Sequence, residues 1–479
     1  MSLRPPIATP RASLASRAFA TLALAGLPSC SLFSAYPSST ADYRHAFEAG
    51  RFEEAGKGYL EEASGADELV YLLESATAFQ QGGLLLESRA AFARAEKVVE
   101  GFESRPKISG RDAAEGVATA VLNDKAMPYD GEGFERVLLN SLQALNYWLL
   151  GDLSGALVEV RRAAERQRAY VAQIESRDPE DPPEFVFSQY LAATIREIAG
   201  DVDNAYVDYK QIQERAPGIR RVGSDLLRIA EATGRAQDAD RWRREFEGAA
   251  PSRSVGTDRS GSLAEIVVVH ADGMAPQKSA IEIPIPTGRS VTKIAIPRYL
   301  PRSGFATQLA VVVDGRTEGH SEELESIDSI AREHLDRRLA AIIARTAARA
   351  AARAAATEIG VNQLRKDKHQ LAAVGVAIGA ALWNILVEQA DLRSWLTLPS
   401  RFAMARVAVP AGTHSVRIEA RGAAGQVLAT YDLGTIELAP GRAIPLLCRT
   451  VGSRLFVVRE SPPPAAPSSG PSITQPTSE

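Results

Sequence analysis

The chain has 479 residues, with 55 Lys and Arg against 59 Asp and Glu and a formal net charge of −4, so its charge implies no general attraction to nucleic acid. Its 45% hydrophobic content suits a protein that buries a core, and the length is enough for two or three domains. With only Cys30 and Cys448 available, stability has to come from that core and not from cross-links.

Residues 1–29 contain Arg4, Arg11 and Arg17, no acidic residue, and the apolar stretch AFATLALAGL. A basic start followed by a short apolar run reads as a signal peptide. The run breaks at Pro28, well short of the roughly 20 residues that a membrane-spanning helix needs. The closing tetrad LPSC resembles the lipobox of bacterial lipoproteins, with Pro28 an unusual choice at its middle. That resemblance implies that Cys30 is the first mature residue and carries several acyl chains, which gives a stable membrane anchor. The alternative is an ordinary signal peptide cleaved nearby, leaving Cys30 free. Residues 30–40 then form a short polar tether. Ser31 stands where an Asp would retain such a protein in the inner membrane, so the expected place is the outer membrane, facing the periplasm.

From 41 to 247 the sequence repeats a helix, a Gly-centred turn and a second helix. The turn glycines fall at Gly50, Gly83, Gly151, Gly200 and Gly234, separated by 33, 68, 49 and 34 residues. A tetratricopeptide repeat has a period of about 34. Small Ala residues beyond each glycine let paired helices approach closely, so the segment resembles a tetratricopeptide solenoid in which stacked pairs bury a continuous core.

One interruption, residues 122–148, feeds an acidic, aromatic turn into a helix: LNDKAMPYDGEGFERVLLNSLQALNYW. Tyr129 and Phe134 offer aromatic area of the kind found in binding hot spots. Asp130, Glu132 and Glu135 could steer a basic partner, and Asn140 and Tyr147 lie about two turns apart on the following helix. These seven residues are the expected partner-binding set, although acids at a helix N-terminus also serve simply as dipole-complementing caps. GEGFER lacks the third glycine of a dinucleotide fingerprint, and GRFEEAGKG lacks the spacing and the Ser/Thr of a phosphate-binding loop. The six histidines are scattered singly without metal-ligand spacing, and no GxSxG occurs. No catalytic residue, metal or cofactor is therefore expected.

After a linker at 248–261, short β-branched runs, EIVVVH, SAIEIPIP, VTKIAIP and TQLAVVV, predict strands. A long helical insertion is expected over about 321–390, followed by the strands ARVAVP, HSVRIEAR, VLATYDLGTIELA and AIPLLCRTV. Cys448 lies in the last of these and reads as a small buried hydrophobe. Within the insertion, Arg345, Arg349 and Arg353 recur every four residues on an alanine-rich helix. They are either a solvated face or candidates for contact with an anionic surface. Residues 371–387 are uncharged and contain Gly375-x-x-x-Gly379, which suits a buried, closely packed helix more than a membrane span. The Pro/Ser-rich tail at 460–479 has the composition of a disordered segment. The expected fold is thus multidomain α+β: an N-terminal tetratricopeptide-like helical solenoid, then a mixed β domain over 262–459 with a long helical insertion.

The strings YDGEGFERVLLNSLQALNYWLLGDLSGALVEVRRA, LAEIVVVHADGMAPQKSAIEIPIP and EQADLRSWLTLP with VAVPAGTHSVRIEA together resemble a family of bacterial tetratricopeptide-containing lipoproteins of unassigned function. Its members are often encoded beside lipoproteins that activate penicillin-binding proteins. The resemblance implies a role in envelope or cell-wall assembly and brings no catalytic residue with it. Two functions follow as expectations. One is a non-enzymatic adaptor, held to the membrane through Cys30, that engages an envelope protein partner, with cell-wall synthesis machinery the candidate and no nucleic acid involved. The other is a cell-wall or glycan-processing enzyme using Asp124, Asp130, Glu132 and Glu135, which would need two carboxylates about 5 to 9.5 Å apart.

Overall fold

The computed structural model describes residues 35–104, 127–175, 185–246, 252–287, 290–302, 304–366 and 389–460. The expectations for Cys30, Asp124, residues 371–387 and the tail from 461 onward lie outside these.

Helices occupy the N-terminal part: α1 (Tyr36–Ser39), α2 (Ala41–Glu48), α3 (Phe52–Glu62), α4 (Glu68–Gln81), α5 (Leu85–Glu103), α6 (Gly133–Leu149), α7 (Leu153–Glu175), α8 (Val186–Ile198), α9 (Val202–Arg215), α10 (Arg220–Ala232) and α11 (Ala236–Glu245). From α2 onward each packs against its sequence neighbour. All five predicted turn glycines adopt positive φ, between 74° and 85°. At each, the amide after the glycine bonds back five residues, as Arg51 does to Ala46 and Leu84 to Phe79. This is the helix-ending motif that only glycine enters without strain, so the repeated glycines mark repeated helix ends.

The C-terminal part supplies eleven strands among the described residues: β1 (Leu263–Asp272), β2 (Gln277–Thr287), β3 (Ser290–Leu300), β4 (Gln308–Val313), β5 (Arg316–His320), β6 (Glu322–Ser326), β7 (Arg401–Pro410), β8 (Gly412–Arg421), β9 (Val427–Leu438), β10 (Ala443–Val451) and β11 (Arg454–Arg459). The long helix α12 (Ile327–Lys366) separates β6 from β7. A five-stranded sheet runs β11-β10-β1-β7-β6, a four-stranded sheet β5-β4-β8-β9, and β2 and β3 form a separate hairpin. Strand β1 is parallel to β10 and antiparallel to β7.

The layers follow from side-chain alternation along β1. Ile266 and Val268 join Val407, Cys448, Leu309, Val311 and Ile418 in the core between the two sheets. Val267 and Val269 point the other way, into a core shared with the helices. The order is therefore helices, five-stranded sheet, four-stranded sheet. Phe187 of α8 stacks on Phe402 of β7 with ring centroids 3.9 Å apart. Cys448 is buried as expected, and burial raises its thiol pKa.

Three expectations need correction. The segment 321–390 does not open as a helix: β6 pairs with β7 first, because Leu324 buries itself in the layer that holds the helices against the sheet. Residues 36–39 of the supposed tether are helical, with Tyr36 buried and its hydroxyl donating to Glu74. The boundary at 248–261 does not divide the core, because one cluster runs from Tyr36 through α10 to Val458.

Candidate functional site

Most of the expected binding residues lie in the turn that leads into α6 and in the first turn of that helix. Glu135, three residues into the helix, accepts the Glu132 amide at 3.0 Å, the reciprocal arm of a capping box. The same carboxylate accepts the Tyr129 hydroxyl at 2.5 Å and the Trp395 amide at 2.8 Å. Glu132 lies 2.5 Å from the Lys278 ammonium of β2 and 2.7 Å from His334 Nε2 of α12, and also pairs with Arg338. Tyr170 of α7 bonds the other nitrogen of His334. Burial by itself would raise Glu132, but Lys278, His334 and Arg338 hold it well below the usual carboxylate range. Burial, reinforced by the neighbouring charge of Glu132, pushes Glu135 up to about 7 despite its hydrogen bonds.

These carboxylates therefore face the chain's own elements. Tyr129, Glu132, Phe134, Glu135 and Asn140 are buried, which corrects the expected partner-binding surface over 129–147: it is an internal joint. Asn140 donates to Glu159 at 2.8 Å within a cluster that includes Glu96 and Arg166. Asp130 is exposed but paired with Arg136 at 2.7 Å. Tyr147 is half-buried, with the Arg89 guanidinium 5.3 Å from its ring centroid.

The joint's other half was not foreseen. Residues 391–398, DLRSWLTL, thread into the helical layer. Trp395 is buried and its indole donates to Thr77 at 2.9 Å. The amides of Leu396 and Thr397 donate to Glu74 at 2.6 and 2.8 Å. Arg393 bridges Asp67 and Asp391, each at 2.7 Å. Glu74, the single acid in the apolar run LVYLLESATAF, was the available signal, since a carboxylate on a buried helix face requires partners.

A second buried cluster fastens the helices to β1 and β7. Arg406 donates to Glu265 at 2.6 Å and to Glu197 at 2.9 Å, and Arg228 holds Glu197 from the other side at 2.6 Å. Burial opposes ionisation of Glu197, but Arg406 and Arg228 outweigh it and depress its pKa strongly.

A third cluster has the outline of a nucleophile relay. His270 lies 3.4 Å from Ser321 through Nδ1 and 2.9 Å from Thr450 through Nε2, and Thr450 donates to Asp272 at 2.5 Å. All four residues are buried between β1, β10 and the β5–β6 turn, and burial lowers the His270 pKa to about 4. Ser321 is engaged by the Leu309 amide at 2.8 Å. The cluster knits strands together and meets no open surface.

A solvent-facing cleft of about 790 Å³ lies between α7, α8 and α9. Val160, Val171 and Ala192 form apolar lining, while Arg161, Arg168, Gln211 and Arg215 are exposed on it. Arg196 pairs with Asp208 in the cleft, and burial pushes Asp208 up to about 6 against that pairing. Among the described residues no carboxylate forms a close ion pair with Arg161, Arg168 or Arg215. Of the arginine stripe on α12, Arg345 is exposed, Arg349 is half-buried and donates to Thr346 at 3.2 Å, and the Arg353 side chain is outside the described set. No cluster of three or more metal-ligating side chains occurs among the described residues, and none of their helices is long and apolar enough to cross a membrane.

No protein-family description matches the chain, and no curated protein is detectably similar to it.

Proposed function

We propose that this chain is a lipid-anchored envelope protein that works as a non-enzymatic adaptor, with its helix pairs arranged as degenerate tetratricopeptide repeats and its recognition surface in the α7–α9 cleft. The repeat reading is supported by five glycine-ended helices whose spacings of 33, 68, 49 and 34 residues correspond to one period, two periods, one period with an insertion, and one period. The anchor reading rests on the LPSC tetrad at Cys30, with the outer membrane as destination.

The observation that carries the adaptor reading is a contrast in exposure. The carboxylates that an enzyme would have used at 132 and 135 are spent on internal partners, whereas the cleft presents Arg161, Arg168 and Arg215, which form no close ion pair among the described residues, beside apolar lining. Such a surface suits an acidic segment of a protein partner, of which cell-wall synthesis machinery is the candidate.

The test is site-specific crosslinking in the source bacterium. A photoreactive amino acid at Gln189 or Gln211 in the cleft yields a discrete adduct with one envelope protein, and the same group at Thr435 on the outer sheet yields none. Adducts of equal strength at all three positions, or none at any, overturn the placement of the surface.

A further inference from the structure

The two edges of the five-stranded sheet are treated differently. At one, β6 is covered: the Arg220 and Arg221 amides at the start of α10 bond Glu322 at 2.8 and 3.0 Å. At the other, β11 pairs among the described residues with β10 alone, and a trough of about 1130 Å³ runs beside it.

The lining shows which part of β11 the trough follows. Val458 belongs to the helix-side core and Phe456 packs against it, whereas Val457 packs against the core between the sheets. All three line the trough together. Neighbouring residues that point to opposite faces share one cavity only along the strand's edge, where alternate backbone N–H and C=O groups project. Helix α3 makes one wall and Tyr431 of β9 stands on the other side. Six residues of strand span about 20 Å, the length of β11.

We infer that the free edge of β11 docks an extended, β-forming segment of a partner protein that carries basic side chains, adding a sixth strand to the sheet.

Charge selects the basic character. Glu53 and Glu54 are already matched by Lys57 at 2.6 Å and Arg51 at 2.7 Å. Arg459 at the end of β11 also lines the trough, yet the trough's four carboxylates, Asp42, Glu53, Glu54 and Glu61, outnumber Arg51, Lys57 and Arg459 by one. Asp42 and Glu61 are exposed, and among the described residues no basic side chain pairs with them. Tyr43 sits beside them, its phenol pKa raised by burial and by Glu62, Glu61 and Asp42.

Two other occupants fit less well. A second copy pairing β11 antiparallel to itself would fix Arg454 opposite Arg459 twice, and like charges directly opposite oppose pairing, whereas a separate segment can set its Lys or Arg toward Asp42 and Glu61 and away from those two arginines. The chain's own residues from 461 onward include Pro462, Pro463, Pro464 and Pro467, which lack the donor that a ladder uses, and they contain no Lys or Arg. This surface is separate from the α7–α9 cleft and stands whether or not the adaptor reading holds.

The probe is a phage-displayed library of random twelve-residue peptides, selected on the full chain. The expected winners alternate β-branched or aromatic residues with Lys or Arg. As a synthetic peptide, a winner slows amide hydrogen exchange within residues 454–459. N-methylation at alternate residues abolishes that protection, and Asp42→Lys with Glu61→Lys, both at exposed positions, weakens binding at least tenfold. The inference is overturned if selection enriches nothing, if winners protect a different segment, or if N-methylated peptides protect equally. It is also overturned if residues 454–459 become protected with rising protein concentration alone, which would assign the edge to a second copy.

Discussion

The carboxylate of Glu135 accepts the backbone amide of Trp395 at 2.8 Å, joining the first turn of α6 to a segment 260 positions further along the chain. The same oxygen pair takes the Tyr129 hydroxyl and the Glu132 amide. The turn expected to face a partner is therefore held by the chain itself.

That placement gives stability a defined pH dependence. Glu135 has its pKa raised from an ordinary 4.5 to about 7, so between those values the folded chain keeps a proton that the unfolded chain has released. Its stabilising contribution is full below about pH 4.5 and is lost as the pH rises through about 7. Glu135→Gln keeps the shape and removes this part of the slope. Urea midpoints measured at pH 5 and pH 8 should differ less for the variant than for the parent, and an unchanged difference would contradict the assignment.

Arg406 is expected to be the costliest single cation to remove. Arg406→Met leaves Glu197 and Glu265 buried without their shared partner, and breaking a buried pair of this kind costs about 3–5 kcal/mol. Denaturant titration measures the loss directly. A change below about 1 kcal/mol would mean that the two carboxylates find water or protons instead.

Trp395→Ala empties a buried site against Phe92, whose ring centroid is 5.9 Å away. Large aromatic truncations of this type cost about 3–5 kcal/mol. Tyr129→Ala and Phe134→Ala should likewise lower the melting temperature by several degrees while leaving crosslinks from Gln189 and Gln211 intact. Loss of the crosslinks without any loss of stability would return the partner surface to residues 129–147.

The anchor is tested by growth with labelled palmitate. Label should enter the parent chain and be absent from Cys30→Ala, which should also stay uncleaved. Equal labelling of both removes the lipoprotein reading.

Strands and helix ends were legible in the sequence because their signals are local. The short β-branched run EIVVVH and a glycine at each helix stop need no knowledge of distant residues, and they located β1 and the turns at Gly50, Gly83, Gly151, Gly200 and Gly234. Strands β5, β6 and β11 were missed: RTEGH and EELES are polar and short, and their pairing comes from β4 and β7. The site was misread for a related reason. Asp130, Glu132 and Glu135 look alike in sequence, yet only Asp130 faces water. Lys278, His334 and Trp395, which decide the matter, lie 140 residues or more away. Carboxylate burial depends on tertiary partners that no local pattern encodes.

Strand β1 has its two neighbours, β7 and β10, at residues 401–410 and 443–451. When β1 leaves the ribosome, neither of them yet exists. The central strand must wait for about 180 further residues, and the helices made first must wait with it, their sheet-facing side chains uncovered. Such long-range pairing slows folding and leaves apolar surface open to misassociation. Truncation before 443 therefore removes the β1–β10 pairing at the centre of the sheet and not merely an end.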